Sequence, residues 1–513
     1  MTLKQNKAGW IVAGLLLSIL MSSMDNTIVA TAMGSIVGQL GGLDKFVWVT
    51  SAYMIAEMAG MPIFGKLSDM YGRKRFFLFG MVVFMLGSIL CGTASSIVEL
   101  SLYRAIQGIG GGALIPICFT IMFDAVSPEN RGKLMGLFGA VFGMSSIFGP
   151  LLGAYLTDYV AWQWIFYINL PLGLIALGLI IGFYKESKEY AKQRVDWLGA
   201  VTLLGAVTCL MFVLELGGKM YAWSSPTIIG LVLSFIVLAG IFVMAELRAA
   251  EPIIRFSMFR VRLYATSNLV AMFSGAAFIV ASVYIPIYIQ GVLGGTATSS
   301  GLVLLPMMLG TVVTATGGGL LMNRMSYRSI LISTLTLLLA GLSLLTTITV
   351  ETSRLVITLY MILVGLGVGA SFSILSNAAI HSLPPSERGT ANATLNFLRS
   401  LGMTIGITIY GLVQSRSMAQ TISETFAAKG TPIPAGIDFQ DPYVLMGAST
   451  RALVPEKALE IITSGLSQSI AGIFAWGLVP ALLAVLAAGW MGKEKHDPQA
   501  ELEAHAAHAA ATH

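Results

Sequence analysis

The sequence predicts an all-α integral membrane protein with fourteen transmembrane helices, on three observations. Of 513 residues, 56% are hydrophobic and 11% charged, with mean hydropathy +0.81, far from the balance of a soluble domain. Apolar runs near bilayer-spanning length recur at about fourteen places, bounded by charge or turn residues. With both termini on one side, 21 of the 30 lysines and arginines fall on that side and 7 on the other, Arg104 and Arg399 lying inside helices. Positive charge marks the richer side as cytoplasmic, and the asymmetry survives only with an even number of crossings. Because the cations follow topology and form no patch, the net charge of +5 does not indicate nucleic acid.

The first six runs are Gly9–Thr31, Val47–Leu67, Arg75–Ala94, Val98–Phe123, Lys133–Thr157 and Gln163–Tyr184, which make residues 1–184 an N-terminal six-helix half. Lys4 and Lys7 ahead of the first run imitate a secretory signal, but Asp25 inside it, its length and the later spans predict a retained helix. Residues 185–262 add two helices, Asp196–Leu216 and Pro226–Glu246, between charged linkers Lys185–Val195 and Leu247–Arg262. The runs Leu263–Gln290, Thr298–Met322, Arg328–Thr349, Arg354–His381, Arg388–Leu412 and Ser467–Met491 form a second six-helix half over 263–491, and 492–513 is a cytoplasmic tail. Polar Val413–Leu466, with Pro432, Pro434, Pro442 and Pro455, predicts a long external loop, either functional or a solvated spacer. Cys91, Cys118 and Cys209 each sit in a separate apolar run and predict core residues, not a disulfide framework. Trp162 and Trp164 predict interfacial anchors.

An internal repeat supports two halves. Pro128, Arg131 and Gly132 of Ser127–Gly132 align with Pro385, Arg388 and Gly389 of Pro384–Gly389. Gly65–Lys74 has a weaker echo at Gly319–Arg328, with Asn323 in the place of Asp69. A near-constant offset between the two matches predicts two related bundles with a cavity between them.

Few groups carry charge within the spans, and those are functional candidates by default. At 1.5 Å per residue, Asp25 lies roughly 9 Å in from the outer end of the first helix and Glu57 about 15 Å into the second. Arg104 shares the depth of Asp25, and Arg399 lies roughly 15 Å into the thirteenth helix. Asp25, Glu57 and Arg104 are candidates for proton coupling, since a buried carboxylate changes protonation as its surroundings change. Asp25 and Arg104 equally suit a fixed ion pair. Arg399 either binds anionic groups or neutralises a buried acid such as Glu57; Asp25, Glu57 and Arg399 together are candidates for a substrate cavity. In the connection Gly65–Arg75, Gly65 and Gly72 permit close approach and a sharp turn. Asp69 there can pair with Arg73 or with the positive N-terminus of a neighbouring helix, and Asp124 can pair with Arg73 or Arg131, closing a charge cluster.

Two motifs mislead. Gly108–Ala113 satisfies a dinucleotide fingerprint but follows no strand, and Gly60–Lys66 begins like a P-loop yet has Leu67 where a magnesium-binding hydroxyl belongs. No metal-ligand spacing and no nucleophile–base pair stands out, which argues against an enzyme; a sensor would need a soluble output domain.

The pattern Gly-x-x-x-Asp-x-x-Gly-Arg-Lys across Gly65–Lys74 resembles the signature loop of the major facilitator superfamily. Leu102–Gly112, centred on Arg104, resembles the fourth-helix motif of its proton-driven members. Gly143–Gly153, with Gly149, Pro150 and Gly153, resembles the antiporter motif of drug exporters, and Met24–Val29 resembles their first-helix motif. Together these liken the whole chain to the fourteen-helix drug:proton antiporter branch (EmrB/QacA-type), and in particular to Bmr-type exporters of bacilli. Ala32-Met33 departs from the branch's usual Ala-Leu-Pro, and no acid stands mid-helix in the C-terminal half, which confines coupling to the N-terminal one. The resemblance implies a major facilitator fold of two six-helix halves plus two extra helices. It also implies proton-driven multidrug efflux of amphipathic, often cationic drugs across a bacterial plasma membrane, with both termini cytoplasmic. Lipid, drugs and protons would be the partners, with no cofactor, and a monomer would suffice. The alternative is proton-coupled export or import of one dedicated metabolite.

Overall fold

The computed structural model describes residues 2–41, 47–126, 128–186, 196–218, 220–322, 324–381, 383–384, 387–429 and 454–495. Among them are fourteen long helices and no β-strand. The first six are α1 (Thr2–Leu40), α2 (Val47–Tyr71), α3 (Arg73–Gly92), α4 (Ile97–Ala125), α5 (Pro128–Tyr159) and α6 (Trp164–Phe183). Two more, α7 (Trp197–Leu216) and α8 (Pro226–Arg248), precede α9 (Arg262–Val292) and α10 (Ala297–Leu321). The last four are α11 (Tyr327–Leu345), α12 (Arg354–Ile380), α13 (Arg388–Lys429) and α14 (Glu456–Trp490). Among the described residues eleven are long and apolar enough to cross a membrane, and α2 and α13 are not among them. For α2 and α13 the reason is visible, because Glu57, Lys66 and Asp69 of one and Arg388, Asn392, Asn396 and Arg399 of the other turn inward.

Helix ends follow local chemistry. Ser96 starts α4 by accepting from the Glu99 amide (3.2 Å), one of the first turn's free N–H groups, while Glu99 accepts from the Ser95 amide just before the helix (2.9 Å). Asp196 caps α7 through the Gly199 amide, and Ser225 followed by Pro226 opens α8. Between α2 and α3 the chain reverses in one residue, Gly72, at φ +115°, which side chains with a Cβ avoid.

The packing repeats. Helix α1 packs on α4, α5 and α6, and α9 packs on α12, α13 and α14; α4 packs on α2 and α3 as α12 packs on α10 and α11. Glycines permit both sets of contacts. A Cβ at Gly108, Gly110 or Gly112 of α4 would strike the backbone of Tyr53, Phe84 or Glu57. One at Gly365, Gly367 or Gly369 of α12 would strike Met307, Leu338 or Thr311. The second row is a further trace of the repeat, and it escaped the sequence reading. Across the two sets, α2 and α4 meet α13, and α5 meets α10 and α12.

Helix α7 pairs with α8 and rests on α2, where Leu203, Val207 and Met211 meet Ile55 and Met58. The outer face of α8 (Leu233, Ile236, Val237, Met244) is more than half exposed and apolar, the pattern of a helix meeting lipid. The segment after it straps the bundle at the Gly72 end: Lys66 of α2 pairs with Glu251 (2.7 Å), and Arg255 pairs with Glu387 just before α13.

Two expectations are corrected. The stretch Val413–Leu466 is helical at both ends, because α13 continues to Lys429 and α14 begins at Glu456. Met418, Ile422 and Phe426, four residues apart, bury one stripe in the core that also holds Ala458, Ile461 and Ile462 of α14. The rest of the stretch, 430–453, lies outside the described residues, as do linker residues 187–195, Asn323 and tail residues 496–513. Trp162 is no interfacial anchor: it is buried and donates from Nε1 to Gln39 (2.9 Å), whereas Trp164 is exposed. Cys91 and Cys118 are buried, and all three cysteines are free thiols.

Candidate transport site

A cavity of about 220 Å³ lies where the two sets of helices meet. Asn26 of α1, Glu57 and Met61 of α2 and Ile115 of α4 form one wall; Phe278, Met308, Thr311 and Phe372, with Asn396, Arg399 and Met403 of α13, form the other. Met61, Met308, Met403, Phe278 and Phe372 supply thioether and aromatic groups, an adaptable apolar component of the lining. Glu57 and Arg399 are the two ionisable residues in the lining.

Beside the cavity, Asp25 and Arg104 are completely enclosed and joined as an ion pair. Burial makes each unmet polar atom of such a pair costly, and of its side-chain polar atoms Arg104 Nη2 lacks a hydrogen-bond partner. Arg104 also donates to Gln107 (2.7 Å) and to the Val49 carbonyl (3.3 Å). Asp25 accepts in addition from Gln107 Nε2 (2.8 Å) and Asn169 Nδ2 (2.9 Å). The Arg104 guanidinium lies 4.1 Å over the Tyr53 ring. The Tyr53 hydroxyl donates to Glu57 Oε1 (3.5 Å) and is 3.3 Å from Ser22 Oγ. Tyr53 thus connects the enclosed pair to the carboxylate in the cavity wall. Asp25 itself, expected in that wall, is not part of the lining: its carboxylate turns toward Arg104, and Asn26 faces the cavity in its place. Gln107, Asn169 and Tyr53 were not singled out in the sequence, because their role rests on contacts between distant helices.

The Gly72 end carries the second cluster. Arg73 pairs with Asp69 (3.1 Å) and with Asp124, one of the two pairings expected for Asp124. Asp69 accepts from the amides of Gly389 (3.2 Å) and Thr390 (2.7 Å) and from the Thr390 hydroxyl. It therefore holds the N-terminus of α13, where free N–H groups and the helix dipole favour an anion. Gly65 lies so near Ala393 of α13 that a Cβ would overlap it. Glu186 was missed in the sequence: its Oε1 accepts from the amides of Arg73 and Lys74, capping α3 from the linker. The side chain of Arg131 lies outside the described residues. Arg399 is not paired with Glu57; its guanidinium donates to the Ser371 carbonyl (3.2 Å) and Asn396 (3.5 Å).

Along α1 and α5, small residues let hydroxyls cross. Ser23 and Ser145 share a hydrogen bond (2.6 Å), and Thr27 donates to the Ser145 carbonyl (3.0 Å). Gly149 receives the Thr27 side chain and Gly153 that of Thr31, with Pro150 between them in the α5 interior. Gly143 lies in the same helix, its surroundings outside the described residues. A methyl at Gly149 would meet Thr27 Oγ1 at overlapping distance. Gly149→Ala should therefore destabilise the α1–α5 contact by about 1–3 kcal/mol, read as a lower melting temperature of the purified protein. Adding Thr27→Ala should recover most of it; a single variant that melts like wild type would refute the contact.

The described architecture agrees with what the chain resembles. The profile of the Major Facilitator Superfamily matches residues 15–407. The chain is 49% identical over 503 residues to Multidrug resistance protein 3 of Bacillus subtilis (strain 168), covering 98% of each. It is 33% identical over 496 residues to Multidrug transporter protein MdtP of the same organism, covering 95% of this chain and 91% of that one. Its fold is similar to the proton:xylose symporter XylE bound to 6-bromo-6-deoxy-D-glucose, with a TM-score of 0.57 at 15% identity over 93% of this chain and 95% of that one. From its helical packing and these matches together, the chain belongs to the major facilitator superfamily.

Proposed function

We propose that the protein is a proton-driven multidrug efflux antiporter that exports amphipathic, often cationic compounds across a bacterial plasma membrane. Two relatives named for multidrug resistance or transport support the drug class. The observation that carries the mechanism is the placement of Glu57, a carboxylate beside Met61 and Ile115 in the wall of a cavity that Phe278 and Phe372 line from the other side, joined through Tyr53 to the Asp25–Arg104 pair. A proton and a drug cation then compete for one acid, and Arg104 and Asp25 feel the outcome through Tyr53. Exchange follows if protonation changes the relative free energy of the inward and outward states.

In this reading 1–184 and 263–491 are the two moving halves, 185–262 is an accessory pair, and the Gly72 end is cytoplasmic together with both termini. The grip of Asp69 on α13 closes the cytoplasmic end, with Gly65, Gly72, Arg73 and Asp124 as its supports and Arg131 beside them. The Gly149-Pro150-Gly153 contact with α1 keeps the N-terminal half rigid during exchange, and one chain is a complete unit. As a member of a transporter family the protein is a carrier, not an enzyme, and the drug, lipid and protons are what it meets.

Purified protein in liposomes with an imposed proton gradient tests this. Wild type should pump an amphipathic monovalent cation against its gradient. Glu57→Gln should weaken binding of that cation about tenfold or more, the scale of losing a charge-assisted contact, while a neutral analogue binds as before. Wild-type rates in both Glu57→Gln and Asp25→Asn would exclude the proposed proton site.

A further inference from the structure

Arg399 differs from the buried arginines Arg104 and Arg73. Arg104 and Arg73 each meet carboxylates, whereas among the described residues Arg399 has no acidic partner. It is only 5% exposed, its Nε has no hydrogen-bond partner, and its remaining contacts are the neutral Ser371 carbonyl and Asn396. The guanidinium lies 4.6 Å from the centre of the Phe372 ring at the cavity wall. A buried cation without a counter-charge is costly, and the planar fork of a guanidinium at a cavity wall suits a planar, two-oxygen anion. Glu57 occupies the opposite wall, on α2.

Resting on the efflux reading above, we propose that Arg399 is a carboxylate subsite and that the cavity takes zwitterionic amphipaths lengthwise, an amine toward Glu57 and a carboxylate toward Arg399. The two anchors come from different helix sets, so a molecule with both charges holds the sets together, whereas a simple cation engages only the α2 side. Arg399 and Phe372 then act as specificity residues, and zwitterions are preferred over their esters.

The test uses purified full-length protein in nanodiscs, in gluconate buffer free of chloride. The probes are 9-aminoacridine-2-carboxylate and its methyl ester, which share one fused-ring cation and differ in the carboxylate. Fluorescence anisotropy should show the acid binding wild type about tenfold or more tightly than the ester, the scale of one charge-assisted bidentate contact. Arg399→Gln should erase that preference and leave ester binding within about twofold of wild type. Arg399→Lys, which keeps charge but not the fork, should retain only part of the preference, and it serves if the glutamine variant fails to fold. Equal binding of acid and ester to wild type, or an acid preference that is undiminished in Arg399→Gln or in Arg399→Lys, overturns the subsite. Ester binding that strengthens on adding chloride in wild type but not in Arg399→Gln assigns the site to a free halide and overturns the substrate assignment. Ester binding without acid binding refutes the subsite alone and leaves the efflux reading in place; failure of both probes to bind refutes that reading and the subsite with it.

Discussion

Arg104→Leu should cost the protein about 3–5 kcal/mol, the scale of stranding one member of a buried ion pair. Asp25 would keep its bonds from Gln107 and Asn169 but lose its only described cation, in a place with no exposure to solvent. The Tyr53 ring would lose the guanidinium that lies on it, and with it the support for Glu57. Yield from membranes and melting temperature should both fall sharply. Adding Asp25→Asn removes the stranded charge, so the double variant should regain most of its stability while pH-driven transport stays absent. That split separates a residue needed for folding from a pair needed for coupling. An Arg104→Leu protein that melts like wild type would show that the pair contributes nothing to the fold.

The second large effect concerns the closed Gly72 end. Gly65→Ala places a methyl group against Ala393, across the junction of α2 and α13 rather than inside either helix set. Overpacking of this kind costs about 1–3 kcal/mol, and here the cost falls on one conformation, the one in which Asp69 also grips Gly389 and Thr390. Since about 1.4 kcal/mol is a factor of ten in a conformational equilibrium, the closed state should lose most of its population and transport should fall about tenfold. In a background without native cysteines, Ser400→Cys in the cavity wall should react faster with a thiol reagent applied from the Gly72 end. Ala393→Gly makes room for the methyl and should restore both the labelling rate and transport. Unchanged labelling in Gly65→Ala would mean that this contact does not gate the cavity.

Local chemistry made much of this readable in advance. Apolar length and the placement of cations located the helices, and fixed spacing singled out Gly65, Asp69, Gly72 and Arg73. Shared depth alone paired Asp25 with Arg104, since two opposite charges at one level in a bilayer have little else to meet. What stayed hidden depended on rotation and on distant segments. Depth does not say which way a side chain turns, so Asp25 was assigned to the cavity wall that Asn26 occupies. Glu186 sits in a linker with no periodic pattern, and its role exists only because α3 begins beside it. Polarity hid the continuation of α13 to Lys429, although Met418, Ile422 and Phe426 at intervals of four were a helical signal within the sequence. The second glycine row, Gly365, Gly367 and Gly369, was equally present in the sequence and needed only comparison with the first.

The inward-turned charges of α2 and α13 also bear on how the chain is made. A helix carrying ionisable and amide groups enters a bilayer at a cost unless neighbours cover those groups, and chains are synthesised from the N-terminus. Helix α13 arrives after α2, α4, α9 and α12 have been synthesised, and of its main partners α14 alone follows it, so much of its polar face finds cover at once. Helix α2 has no such advantage, for its main neighbour α4 follows it and α13 comes far later. Ribosome, translocon and bilayer therefore handle α2 as an unfinished surface until α4 is in place, and each substitution of Glu57, Lys66 or Asp69 changes the efficiency of biogenesis as well as the behaviour of the finished carrier.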